Sequence, residues 1–224
     1  MTIEEVATLL TAWQLPGDER EQVLDEIQVG SSSGWWDRPI PGVPQEVGAL
    51  ASYENDAYEL VNVAVTVIPG LLQTYETAVA TLAADGARAE DIETRWMARL
   101  RRQQILTKIM YKAFIDESVL RTPFGGAEAM RGQFEHLLWA QSIGLEIRVI
   151  PAHQTGVIVM HPFLLMRFHN TTPVVHVELA GDAGAFYLHG KDVTNFEALL
   201  ARLDEVALSR GESTRIIHEL MEGL

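Results

Sequence analysis

The spacing of apolar residues changes near residue 145, and that change limits the fold more than any single motif does. Before it, apolar side chains recur mostly at helical intervals: Leu71, Leu72, Tyr75, Ala78, Val79 and Leu82 in one segment, Met130, Phe134, Leu137 and Leu138 with Gln141 in another. After it come four short apolar runs, Leu145–Ile150, Phe163–Phe168, Val174–Leu179 and Ala185–Leu188, separated by Pro, Gly, Asn or Asp. Such runs are expected to be strands. They lack the crossover helices that parallel neighbours need, so mostly antiparallel pairing is expected among them and a doubly wound parallel sheet is disfavoured. Thr155–Met160 is compatible with a further strand or a loop, and helices near Val193–Leu208 and Thr214–Met221 close the chain.

Upstream, Thr2 and Glu5 form a candidate capping box ahead of an apolar stripe of Ile3, Val6, Leu9, Leu10 and Trp13. A second short helix is expected over about Asp18–Gln28, and Gly30-Ser31-Ser32-Ser33-Gly34 reads as a connector. Trp35 and Trp36 then open the main domain as apolar anchors, and Pro39, Pro41 and Pro44 keep the next residues out of a helix. Gln45–Glu59 is expected to be helical and the β-branched run Val61–Ile68 to be a strand. Pro69 stops that strand, and Gly70 next to it supplies the backbone freedom of a strand-to-helix junction. A longer helix is expected from about Ala89 to Tyr111, a short strand at Ala113–Asp116, and a helix entered through Gly125-Gly126. The architecture expected is α+β: a helix-rich core packed with a small, mostly antiparallel sheet, preceded by two short helices. Residues 1–34 form a residual helical segment and linker, and 35–224 the main domain.

The chain has 224 residues, 47% of them hydrophobic, enough for one sizeable core. No apolar run is long enough to span a bilayer and no secretion signal opens the chain, so a membrane location is not indicated. Zero cysteines exclude disulfides and thiolate sites, in agreement with a cytoplasmic location. The net charge of -14 weighs against a free-standing nucleic-acid binder. That charge is unevenly spread: residues 1–59 carry 2 basic and 12 acidic side chains, whereas 88–112 carry 7 basic and 3 acidic ones. Complementary segments of this kind can dock on each other, within one chain or between two, or recruit an acidic partner.

Chemistry is sparsely signalled. His176 and Glu178 are two residues apart in an expected strand and share a face, the spacing two metal ligands would need, but no compact metal signature accompanies them or His153, His161, His169 and His189. No metal or other cofactor is assigned on this basis. Glu54, Glu117 and Glu178 stand beside apolar sequence and would need donors or arginines if buried. Phosphate-binding glycine loops, dinucleotide fingerprints and serine-hydrolase elbows are absent. No catalytic residues are assigned, and an enzyme is disfavoured without being excluded.

Several separated runs, taken in order, resemble the C-terminal domain of a large family of actinobacterial helix-turn-helix (XRE-like) transcriptional regulators, a domain of unknown function. They are Trp35-Trp36, Tyr53-Glu54, Val67–Thr74 with Ala78, Arg95, Arg99–Gln103, Asp116-Glu117 with Leu120-Arg121, Gly125-Gly126 with Met130, Gln133 and Leu137, Val149–Pro151, and Val177-Glu178. The resemblance covers about 35–210, and its strength lies in the ordered set. It implies a transcription-regulator-like protein that acts through a small partner protein, self-association or a small-molecule effector. Residues 1–28 resemble the helices that close a helix-turn-helix without its recognition helix, so direct sequence-specific DNA binding by this chain is not expected. The groups expected to contact an effector or partner are Gln73, Arg99, Arg102, Glu117 and Glu178, with Trp35, Trp36, Pro69 and Gly70 as structural anchors. The alternative is an atypical small-molecule or metal-dependent enzyme built on the same domain.

Overall fold

The computed structural model describes residues 16–17, 34–154, 156–179 and 183–224. The two short helices expected within 1–28 lie outside the described residues. The main domain is α+β, with a six-stranded mixed sheet in spatial order β3-β2-β1-β4-β5-β6. Its strands are β1 (Glu59–Ala64), β2 (Met110–Asp116), β3 (Glu146–Ile150), β4 (Phe163–Arg167), β5 (Val174–Glu178) and β6 (Ala185–Leu188). β1 pairs with β2, and β2 with β3, in parallel; β1–β4, β4–β5 and β5–β6 are antiparallel.

Seven helices pack around the sheet: α1 (Gln45–Asp56), α2 (Tyr75–Ala84), α3 (Ile92–Gln103), α4 (Glu117–Arg121), α5 (Ala127–Ser142), α6 (Lys191–Val206) and α7 (Arg210–Glu222). Because side chains alternate along a strand, central β1 buries both faces. Leu60 and Ala64 join a core with Leu71, Leu72, Phe134, Leu137 and Ile217. Val61 and Val63 join a second one with Phe114, Phe163, Leu200 and Leu203, under α6. The sheet is therefore covered on both sides. Among the described residues no helix is long and apolar enough to cross a membrane.

Several elements differ from the sequence expectation for identifiable reasons. β1 ends at Ala64, not Ile68, because its last parallel partner is Ile115; the chain then leaves the sheet, and Ile68 is buried against the helices instead. The helix expected to reach Tyr111 stops at Gln103, and a 3-10 turn at Gln104–Thr107 follows. Tyr111 belongs to β2, where its backbone registers with Leu60 of β1. β3 is not a neighbour of β4, as four consecutive runs suggested; residues 151–162 carry the chain from one edge of the sheet past β2 and β1 to the far side. Of the stretch Thr155–Met160, residues 156–160 form no strand. α7 starts at Arg210 rather than Thr214 because Ser209 and Glu212 form a reciprocal capping box, with Ser209 N–H donating to Glu212 Oε2 at 2.9 Å.

Of the described part of the acidic segment, residues 34–59 pack on the basic α3 within one chain, and Glu54 is a carboxylate of it that pairs there. Arg95 Nε donates to Gly42 O at 2.9 Å, the Arg101 guanidinium lies 5.7 Å from the Trp35 ring centroid, and Arg102 grips Glu54 with two bonds of 2.7 and 2.8 Å. Trp35 and Trp36 sit edge to face, centroids 5.9 Å apart, in a half-buried 3-10 turn beside Gly48 of α1. The two positive-φ glycines Gly125 and Gly126 turn the chain into α5, and a Cβ on Gly125 would stand 2.8 Å from that of Ala129.

Glu54 is 1% exposed, so its carboxylate depends on Arg102 for compensation. Arg102→Ala is expected to destabilise the domain by about 3–5 kcal/mol in urea unfolding, and the double change Arg102→Met with Glu54→Gln by clearly less, because the penalty comes from the orphaned charge. Equal losses in the two variants would contradict this.

Candidate functional site

Between Ala64 and α2 the chain makes a turn that passes largely through the interior: Ile68, Leu71 and Leu72 are at most 1% exposed. Its carbonyl and amide groups need partners inside the protein. Three glutamine side chains supply them. Gln73 Nε2 donates to Ile68 O at 2.7 Å. Gln103 Nε2, from α3, donates to Gly70 O at 3.1 Å and to Gln73 O at 2.8 Å. Gln133, from α5, donates through Nε2 to Leu72 O at 2.7 Å and accepts through Oε1 from Thr74 N–H at 2.9 Å. Pro69 precedes a 3-10 turn at Gly70–Leu72. A Cβ on Gly70 would lie 3.3 Å from Arg99 Nε, so the missing side chain lets α3 come close.

A cleft of about 230 Å3 opens beside this turn. It lies at the carboxyl end of β1, next to the amino end of β4, where the connections diverge to opposite sides of the sheet. Divergence of this kind leaves a crevice, the usual ligand position in open α/β sheets. Its walls include Leu50, Val63, Ile68, Leu82 and Phe163, and its polar lining comprises Glu46, Asn62, Gln73, Asp85, Arg95, Arg99, Arg102, His176 and Glu178.

Four of the five residues expected to contact an effector or partner, Gln73, Arg99, Arg102 and Glu178, thus line one cleft. Glu117 does not. It begins α4 past the end of β2, accepts from Arg121 Nε at 2.9 Å and from Ala152 N–H at 3.0 Å, and is held below the usual carboxylate range chiefly by the Ala152 amide. Of the anchors, Pro69 and Gly70 also belong to the cleft wall, whereas Trp35 and Trp36 border a separate depression. Glu46, Asn62, Asp85 and His176 had no sequence signal as a set, since they come from four different elements. Arg95 did have one: Arg95, Arg99 and Arg102 recur at four and three residues, which places them on one face of α3.

The two inner arginines differ in state. Burial opposes the charge on Arg102, but the Glu54 carboxylate more than offsets it, and the guanidinium is raised above its ordinary value. Arg99 is pushed down to about 10 by burial and by neighbouring Arg102, yet stays protonated at neutral pH. Its Nη1 donates to Gln73 Oε1, its only hydrogen bond among the described residues, and none of them places a carboxylate in ion-pair contact with it. His176 is 6% exposed and packs against the Tyr187 ring; burial, then Arg102, lowers it to about 4, so at neutral pH it lines the cleft as an uncharged imidazole. His176 and Glu178 share the β5 face, but among the described residues no group of three or more His, Cys, Asp or Glu is placed to hold a metal ion. Nor do Glu54, Glu117 and Glu178 converge: the first is spent on Arg102, the second sits at α4 and the third lines the cleft.

The profile of a family described as a domain of unknown function, DUF5753, matches residues 47–219. That span runs from α1 to α7 and includes almost every residue of the cleft. No curated protein and no solved structure matches the chain significantly.

The buried imidazole makes a pH prediction. The folded His176 titrates near 4 and the unfolded one near 6.5, so between these values the unfolded chain binds the additional proton. Its contribution is complete above about pH 6.5 and is lost as pH falls toward 4, on the order of 3 kcal/mol in total. Urea denaturation across that range should give a shallower pH slope for His176→Gln than for the wild type; identical slopes would contradict it.

Proposed function

This chain belongs to the DUF5753 family, and we propose that it is a regulator-type domain that binds a small-molecule effector in the cleft at the end of β1. The observation that carries this reading is Arg99: a half-buried guanidinium on the wall of a ligand-sized crevice, positioned by Gln73 and with no carboxylate in ion-pair contact among the described residues, although Glu178 and Asp85 act on it through space. An arginine serving structure alone resembles Arg102, whose fork is filled by Glu54. Apolar walls with a few convergent polar groups are the composition expected of a small-molecule site.

The ordered likeness of this chain to the C-terminal domains of actinobacterial XRE-like regulators supports a role in transcription control in the cytoplasm. In that role the domain reports effector occupancy to a small partner protein or a second copy, and sequence-specific DNA contact falls outside it. The glutamine-clamped turn connects the cleft to α3 and α5, so a ligand drawn onto Arg99 would act on the elements that Gln103 and Gln133 hold.

Native mass spectrometry of the protein isolated from its own cells tests the reading. The expected result is a retained small-molecule mass that disappears in Thr66→Trp, a change at an exposed position on the rim of the cleft, while the melting temperature is kept. A protein-sized adduct that persists in Thr66→Trp, with no small mass retained, would replace effector binding with partner binding alone.

A further inference from the structure

The charges of the cleft narrow the chemistry of what can occupy it. Arg99 has five N–H donors, and one is engaged, at Gln73. Arg102 commits Nε and Nη2 to Glu54, which leaves its charge compensated. Arg95 gives Nε to Gly42 O. Against these stand Glu46, Asp85 and Glu178 on the same lining, none in an ion pair among the described residues. Among the described residues the lining therefore holds a balance of both signs, in which Glu178 and Asp85 act on Arg99 from beyond ion-pair distance. The neutral His176 adds no positive charge to it.

This balance excludes simple ligands in turn. A dianion such as a phosphate ester gains at Arg99 but is repelled by three carboxylates. A monocarboxylate satisfies Arg99 and leaves the carboxylates unmatched. An amine gains at the carboxylates but draws their field away from Arg99, whose partly desolvated charge then has no anion in contact. A molecule carrying both groups meets both demands, and a planar carboxylate fits the guanidinium fork in a way that other anions of equal charge do not. The volume, about 230 Å3, lies below the roughly 300–1,000 Å3 of pockets for larger ligands and is suited to a small metabolite. Leu50, Val63, Ile68 and Phe163 would cover its apolar part.

We propose that the cleft binds a small zwitterion of the α-amino acid type, its carboxylate forked by Arg99 and its ammonium group directed to the Glu178 side of the lining. The proposal rests on the effector reading above and specifies its ligand class.

Ligand-observed NMR on the full chain, with the proteinogenic L-amino acids, their deaminated acids, their decarboxylated amines and inorganic phosphate as probes, tests it. At least one amino acid is expected to bind, with its deaminated and decarboxylated counterparts weaker by about tenfold or more. Arg99→Gln should abolish binding of that amino acid. Glu178→Gln, at an exposed position that folding does not depend on, should weaken the amino acid by about tenfold while leaving its deaminated acid unchanged or tighter. Phosphate binding with no amino acid bound, or amino acid binding unaffected by Glu178→Gln and by a folded Arg99→Gln protein, overturns the proposal. If none of the probes binds but a small molecule co-purifies and is lost in Thr66→Trp, the zwitterion is wrong and effector binding stands; if nothing binds or co-purifies, both fall.

Discussion

Everything around the cleft depends on the hydrogen bonding of one buried turn. After β1 the chain crosses the interior with Ile68, Leu71 and Leu72 in the core, and the peptide groups of the turn that face inward need partners from the protein. Gln73, Gln103 and Gln133 take over that role, and they do so from three different segments. An amide side chain suits the task because it both donates and accepts, as Gln133 does at Leu72 and Thr74. The same bonds fix α3 and α5 against the turn. Arg99 and Gln103 are four residues apart on α3, so the contact that places Gln103 on the turn also brings Arg99 onto Gln73. The turn and the charged wall of the cleft are therefore one construction, and Gly70 permits it by leaving room for the Arg99 side chain.

The mixed sheet explains why the opening lies where it does. β1 sends its chain through α2 and α3 to β2 on one side, while β4 occupies the other side in antiparallel orientation. Helices cover the parallel half after β1, but β4 enters from the other side, so among the described residues no helix or strand closes the gap between the two halves at that end. Polar side chains from α1, β1, α3 and β5 reach the gap, and their charges do not cancel pairwise. The helix-covered parallel half makes the site rigid, and the antiparallel half contributes His176 and Glu178 to its far wall.

Much of this was legible in sequence, and what was not follows from the range of the interactions. Strand and helix identities came from local spacing, and five strand candidates fell within a few residues of their positions. β1 is shorter than its β-branched run because the chain leaves the sheet after Ala64 and buries Ile68 against the helices, a long-range packing that no single run encodes. The placement of β3 beside β2 rather than β4 was hidden for the same reason. Gln133 was visible in sequence only as one residue of the ordered family likeness; its two bonds span 59 and 61 residues of chain, and nothing near it in sequence announces them. The Ser209–Glu212 box, in contrast, was a local signal that marks the start of α7. Among the site residues, the arginines of α3 were accessible through their spacing and Glu178 through its place beside an apolar run, whereas Glu46 and Asp85 join them only in the folded chain.

Arg99 and Arg102 show how two arginines on one helix face can stand in different states. Arg102 is compensated by Glu54 and braces α3 against α1. Its charge in turn bears on Arg99, which burial already disfavours and which has been pushed down to about 10. Holding a second, unmatched guanidinium there costs free energy that a well-paired scaffold can tolerate. An anionic group arriving at Arg99 would relieve that cost, so part of its binding energy would come from strain already present in the empty fold. Because binding to the native state alone shifts the folding equilibrium, occupancy of the cleft would also tighten the turn, α3 and α5 together. Under the proposed effector role, a ligand at Arg99 would bear on the placement of α3 and α5 without a separate hinge, since Gln73 already joins the cation to the clamp.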